Sequence, residues 1–325
     1  MKDIEKDIAV EEKFIQSVTA SDTTNQVNIS CQINKSLHQI TASVQKFGEI
    51  NVSSDPCDFT IQKRKDRQAQ IMVSLSTRNI DNLTLTLQKR IDTGLSNVHG
   101  CSLLPNGIMV FCCCQQNKIR LLKSDGSKDF EINNIGPTFD VVFIGNDDIA
   151  VTSGGSDKIN IIDLKNKKLK KSIKVNSAND GAVYKNGHLI YGNRKKGLQM
   201  ISLGDESITN VINTNLTTWA YVTTFRDKLF YTNCDNHTVT CCDYHHGNIM
   251  WTFCDTSVLK GPYGISVDNS GNVFVVGWNT NNVVVISPDV QRYRQLLSSE
   301  DGLKCPQRLL LDLQHYICSR HFNLC

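Results

Sequence analysis

Three groups of residues in this chain have the types and spacing that chemistry requires. Cys234, His237, Cys241 or Cys242, and His245 or His246 put thiol and imidazole donors at the short intervals that zinc uses. Lys118, Lys158, Arg194, Lys195 and Lys196 occur in loops that share the sequence with Trp219, Tyr263 and Trp278. Cations beside aromatic rings suit phosphate contact and base stacking on single-stranded RNA. They equally suit a protein ligand anchored by Trp, Tyr and Arg. The third group, LKNKKLKKSIK, concentrates Lys165, Lys167, Lys168, Lys170, Lys171 and Lys174. The signatures of common enzymes are missing: there is no G-x-S-x-G elbow, Walker loop, H-E-x-x-H or dinucleotide fingerprint.

The elements that position these residues repeat about every forty positions. Each copy is a short apolar strand, a Gly/Asn/Asp turn, an alternating strand, a polar turn and another alternating strand. The clearest is GPYGISVDNSGNVFVVGWNTNNVVVISPD, Gly261 to Asp289. Others are HGCSLLPNGIMVFCCCQQNKIRLLKSDG, FDVVFIGNDDIAVTSGGSDKINIIDL, DGAVYKNGHLIYGNRKKGLQMISL and YVTTFRDKLFYTNCDNHTVTCCDY. Val110, Val151, Tyr191, Tyr231 and Val275 mark the second strand at spacings of 41, 40, 40 and 44. A strand-filled period of this size predicts a β-propeller. A sixth copy opens at Gly302 to Gln307, with Leu309 to Leu311 as an inner strand and Tyr316 to Cys318 as a second. The expected fold is therefore all-β, a six-bladed propeller over 69–325 whose last blade is incomplete. The alternating stretch Asn82 to Arg90 is assigned to closing the ring.

This register decides the metal question at sequence level. The Cys/His stretch aligns with Trp278 to Asp289 at an offset of 44, which sets Cys241 opposite Val285 and Cys242 opposite Ile286. Both cysteines fall on ordinary strand positions, and His237 falls at a hairpin tip. Neither a metal nor a cofactor is expected. Some six-bladed propellers hold a catalytic metal in the central channel, so the residues before each inner strand matter. Here they are His99, Asp140, Asp180, Trp219 and Tyr263, a mixture that is not a metal shell. The chain is expected not to be an enzyme.

The first fifty residues read differently. Ile33, Leu37, Ile40, Val44 and Phe47 step by 4, 3, 4 and 3, a coiled-coil seam. Residues 1–50 are expected to form a self-associating helical segment, with a lone helix packed on the domain as the alternative. Residues 51–68 form a linker ending in the basic run Lys63 to Arg67. A net charge of +3 is too small to imply a polyanionic partner by itself. Thirteen cysteines, odd in number and often adjacent, suit buried small apolar side chains better than a disulfide framework. No apolar run reaches membrane-spanning length, and the charged MKDIEKDIAVEEKF is not a signal peptide. A cytoplasmic protein with no membrane partner is expected.

The pattern G-P-x-G-I-x-V-D-x-x-G-N-V-x-V-V, followed by N-x-V-x-V, resembles an NHL repeat. With the heptad helix and basic linker ahead of it, the chain resembles the C-terminal part of the NHL-type tripartite-motif proteins. That resemblance implies a propeller that recognises protein or RNA, and a helix that oligomerises it. RING and B-box modules need closely spaced Cys/His pairs, and the first cysteine here is Cys31. Ubiquitin-ligase activity is therefore not carried over to this chain.

In a propeller, the loops leading into the inner strands and those joining second and third strands emerge on one face, hereafter the upper face. The expected binding face comprises His99, Lys118, Asp140, Lys158, Asp180, Arg194, Lys195, Lys196, Trp219, His237, Tyr263 and Trp278. A protein partner is favoured, RNA is the alternative, and plain solvated loops are the bland reading. The lysine run Lys165 to Lys174 follows a third strand and opens on the opposite face. It reads as solubilising, with an anionic partner as the alternative.

Overall fold

The structure, a computed structural model, describes residues 80–85, 91–311 and 316–320. The chain divides into two units, Met1–Gln70 and Ile71–Cys325, and every described residue belongs to the second.

Five four-stranded antiparallel meanders follow one another along the chain. The first blade is β1 (Gly100–Leu103), β2 (Met109–Cys113), β3 (Lys118–Leu122) and β4 (Lys128–Ile132). The second is β5 (Val141–Gly145), β6 (Asp148–Thr152), β7 (Lys158–Asp163) and β8 (Lys168–Lys174). The third is β9 (Asn179–Lys185), β10 (His188–Asn193), β11 (Gly197–Ser202) and β12 (Ile208–Ile212). The fourth is β13 (Val222–Phe225), β14 (Lys228–Asn233), β15 (Thr238–Asp243) and β16 (Ile249–Phe253). The fifth is β17 (Pro262–Val267), β18 (Val273–Gly277), β19 (Asn282–Ile286) and β20 (Tyr293–Leu297). Two further strands, β21 (Pro306–Leu311) and β22 (Tyr316–Arg320), pair with each other and with no third strand among the described residues.

The turns do what their residues dictate. Between β9 and β10, Asn186 (φ 49°) and Gly187 (φ 80°) both take the left-handed region, the backbone that a two-residue hairpin demands. Middle strands have both faces covered by neighbouring blades, most fully in the fifth, where VFVVG in β18 and NVVVI in β19 are buried at every position. Outer strands such as β8 and β12 are half-exposed and polar.

Because successive strand side chains point to opposite faces, each blade feeds two cores. Cys112 joins Val110, Ile119, Val141 and Ile149 between the first two blades, whereas Cys113 packs with Leu95, Val98 and Phe111 on the other side. Likewise Cys242 faces the third blade, with Ile190 and Leu198, while Cys241 faces the fifth, with Phe274 and Val285. Adjacent cysteines are thus small apolar fillers of two separate cores.

The inner strands pack in sequence, β1 on β5, β5 on β9, β9 on β13, β13 on β17 and β17 on β21, and β21 returns to β1. The six-bladed expectation is corrected here. Five blades are complete, and the segment after them contributes a two-stranded sheet, because its apolar residues supply one hairpin only.

The helical part of the expected architecture is also corrected. Among the described residues no helix reaches seven residues; the helical turns are 3-10 turns at Ile80–Asn82, Cys114–Gln116 and Ser299–Asp301. Residues 1–50, with the seam Ile33, Leu37, Ile40, Val44 and Phe47, and the linker 51–68 lie outside the described residues.

The closing strand expected over Asn82 to Arg90 fails in its described part. Ile80–Asn82 is a 3-10 turn and residues 83–85 form no strand; Ile80 and Leu83 are both buried in the fifth-blade core. Asp81 pairs with Arg292 at 2.8 Å, and Arg294 donates to the Leu83 carbonyl.

Candidate binding face

Gly100, Asp140, Gly181, Tyr221, Gly264 and Arg308 stand at equivalent positions in or immediately before the six inner strands. Glycine alternates with a large polar residue. A Cβ on Gly100 would lie 2.5 Å from the Asp140 Cα. On Gly181 it would lie 2.6 Å from the Tyr221 Cα, and on Gly264 2.6 Å from the Arg308 Cα. The glycines let neighbouring strands close in, and the three large side chains fill the space at the axis.

Those three are buried and tied together. Arg308 Nη2 lies 3.5 Å from Asp140 Oδ2, and its guanidinium sits 5.1 Å from the Tyr221 ring centre. Asp140 also accepts from the amides of Val141 (3.0 Å) and Ala182 (3.1 Å). The Tyr221 hydroxyl donates to the His99 carbonyl at 2.7 Å. Burial pushes the Asp140 carboxyl up, and Arg308 with the two amides offsets part of that. Asp140, expected on the binding face, is therefore part of a plug in the channel.

Above the plug lies a layer of rings. His99 is 5.5 Å from Phe139, which is 5.2 Å from Tyr221. Trp219 meets Tyr263 edge-on at 5.4 Å and His99 at 6.4 Å, and Tyr263 stacks on Trp278 at 5.7 Å. Tyr263 is 2% exposed, so it is a floor and not a contact surface; Trp219, at 39%, is the ring presented to solvent.

Asp180 sets this presentation. Its side chain is buried and accepts from Arg194 through Nε (3.0 Å) and Nη2 (2.7 Å). It also accepts from the Trp219 amide at 3.1 Å. Trp219 holds φ at 70°, a left-handed backbone that is uncommon for a non-glycine residue. One carboxylate thus holds both the Arg194 guanidinium and the backbone that carries the exposed Trp219 indole. Burial raises the Asp180 carboxyl from its ordinary value, with Arg194 opposing.

The remaining expected residues are dispersed. Lys195 and Lys196 are exposed beside Arg194, their amides donating to Asn193 Oδ1. Lys118 turns to Glu131 at 3.4 Å on the outer half of the first blade. Lys158 is exposed at the first position of β7. His237 (φ 56°) accepts from the Gly261 amide at Nδ1, 3.2 Å, joining the fourth blade to the fifth.

The Cys/His group does not converge. Cys241 and Cys242 face different cores, and His245 and His246 sit in the turn at the far end of β15. Among the described residues no three His, Cys, Asp or Glu side chains are placed to hold a metal.

Sequence reasoning missed Arg308, Tyr221 and Phe139. A signal for the first two was present: H-G-C, D-G-A and Y-G-I alternate with F-D-V, A-Y-V and Q-R-L when the inner strands are aligned.

Radial four-stranded sheets around a filled axis define a β-propeller. No family model matches the chain, and no curated protein matches it. Solved structures do. A chain of a nidogen/laminin complex aligns with a TM-score of 0.56 at 13% identity, over 63% of this chain and 81% of that one. Virginiamycin B lyase from Staphylococcus aureus aligns at 0.54 and 18% identity, over 66% and 74%. A protein of unknown function from Bacteroides thetaiotaomicron aligns at 0.60 and 11%, over 70% and 67%. At these identities the likeness is one of fold.

Proposed function

We propose that this propeller is a non-enzymatic recognition module that binds a protein segment on its upper face, over Trp219 and Arg194. The observation that carries the reading is the shared contact of Asp180, which holds the Arg194 guanidinium and the Trp219 backbone amide, with the Trp219 ring packed on Tyr263. A guanidinium held in advance and an indole on a fixed backbone lose less freedom on binding, and such residues anchor protein interfaces. Two supports accompany it. The axis is filled by Asp140, Tyr221 and Arg308, and one structural neighbour comes from a protein complex. The buried thiols of Cys101, Cys112, Cys113, Cys241 and Cys242, packed as apolar side chains, accord with a reducing cytoplasmic setting. Kinship with the NHL tripartite-motif proteins rests on the fifth-blade motif alone.

Panning a displayed random-peptide library on the chain, with counter-selection on Trp219→Ala, tests the reading. Peptides held by the parent and lost on both Trp219→Ala and Arg194→Ala support it. Enrichment that survives both substitutions refutes it. The RNA alternative is favoured by the exposed Lys195 and Lys196 beside Trp219. Labelled oligouridine that binds through Trp219, with affinity falling steeply as salt rises, would replace the protein reading.

A further inference from the structure

The outer strand of the second blade differs from the other four. Its sequence is KLKKSIK, against KDFEI, ITNVI, IMWTF and YRQLL. It pairs with β7 alone among the described residues, so its other edge carries free backbone donors and acceptors. Lys168, Lys170 and Lys174 are all exposed. Lys170 is the extra residue of a bulge, so Lys174, opposite Lys158, and Lys168, opposite Asp163, point to opposite faces of the sheet. Lys170 meets Asp148 at 2.7 Å, and on the other side Lys171 meets Glu206 at 2.7 Å. Lys158, Lys168 and Lys174 have no carboxylate partner among the described residues.

Two features go beyond a solvated run. Lys158 and Lys174 are direct cross-strand partners, a like-charge pairing that destabilises a ladder. Leu169, between two lysines, is 43% exposed. A lysine edge repels a second copy of itself. It attracts a strand of opposite charge.

We propose that the free edge of β8 is a docking site for an extended acidic peptide, which adds to the second blade as a fifth strand. Carboxylates on both faces of the added strand reach Lys174 on one side and Lys168 on the other. An intervening apolar residue covers Leu169. Single-stranded nucleic acid fits less well, because no exposed aromatic ring lies on β8 to stack a base. This edge is independent of Trp219, and either site can fail alone.

The probe is a fluorescein-labelled peptide, Glu-Val-Thr-Val-Val-Glu-Val, with one glutamate on each face, read by anisotropy on the whole chain. Binding is expected to weaken about tenfold or more in the variant Lys168→Glu, Lys170→Glu, Lys174→Glu. A lysine-for-glutamate peptide should recover binding to that variant, which also shows that it is folded. Alternate N-methylation of the peptide backbone should abolish binding, and Trp219→Ala should leave it unchanged. Retained binding by the N-methylated peptide, or by the charge-reversed variant with the original peptide, overturns the proposal. So does tighter lysine-dependent binding of oligouridine or of phosphatidylserine vesicles.

Discussion

Replacing Asp140 by Ala tests how the ring is held. The substitution removes a carboxylate that is fully buried and 3.5 Å from Arg308, whose guanidinium is itself 7% exposed. Arginine does not shed its proton, so the charge is left buried with its ion-pair partner gone. Breaking a buried pair in this way costs about 3–5 kcal/mol. With a urea slope of about 3 kcal/mol per M, the midpoint should fall by about 1–1.7 M, followed by tryptophan fluorescence.

Arg308→Met should cost less, because burial already pushes Asp140 up and the carboxyl can take a proton. An acid whose folded pKa is raised contributes stability below its unfolded value, near 3.9, and loses it as pH rises through the folded one. The Arg308→Met protein should therefore lose stability relative to the parent as pH rises above about 4. The double variant should cost less than the sum of the two singles by more than about 1 kcal/mol. Additivity within about 0.5 kcal/mol would refute the coupling, and with it the placement of β21 in the ring.

Gly181→Ala should destabilise by about 1–3 kcal/mol in the same assay, since its Cβ meets the Tyr221 Cα at 2.6 Å and the Ala220 carbonyl at 2.8 Å. Gly155→Ala, which meets nothing within 4 Å, should be close to neutral. Glu131 is drawn down to about 2, foremost by its hydrogen bond from Lys128 and then by Arg120. Its contribution should be present above about pH 4.3 and fade as pH falls towards 2; acid titration of Glu131→Gln should lack that component. Trp219→Ala should leave the urea midpoint nearly unchanged while abolishing selected peptide binding, because the indole is exposed. A large loss of stability would make Trp219 a packing residue.

The strands and their turns were legible in the residues, because both signals are local. Alternation puts apolar side chains on the two faces of a strand, and Asn, Asp and Gly accept the left-handed backbone that tight hairpins need. The same register correctly read Cys241 and Cys242 as strand fillers. The aromatic residues Trp219, Tyr263 and Trp278 were named as a group, and they do touch.

What only the tertiary structure decided was which polar residues face solvent and which face the axis. Asp140 aligns with Gly181 and Asp180 with Phe139, so the two carboxylates stand one position apart in register and turn to different arginines, Asp140 to Arg308 and Asp180 to Arg194. Which arginine each carboxylate meets depends on how six strands, far apart in sequence, converge on one axis. Blade count was lost for the same reason. A strand's pattern records that its faces are covered, not how many neighbours the sheet acquires, so β21 and β22 read as an incomplete sixth blade, whereas the described residues form five blades and one hairpin.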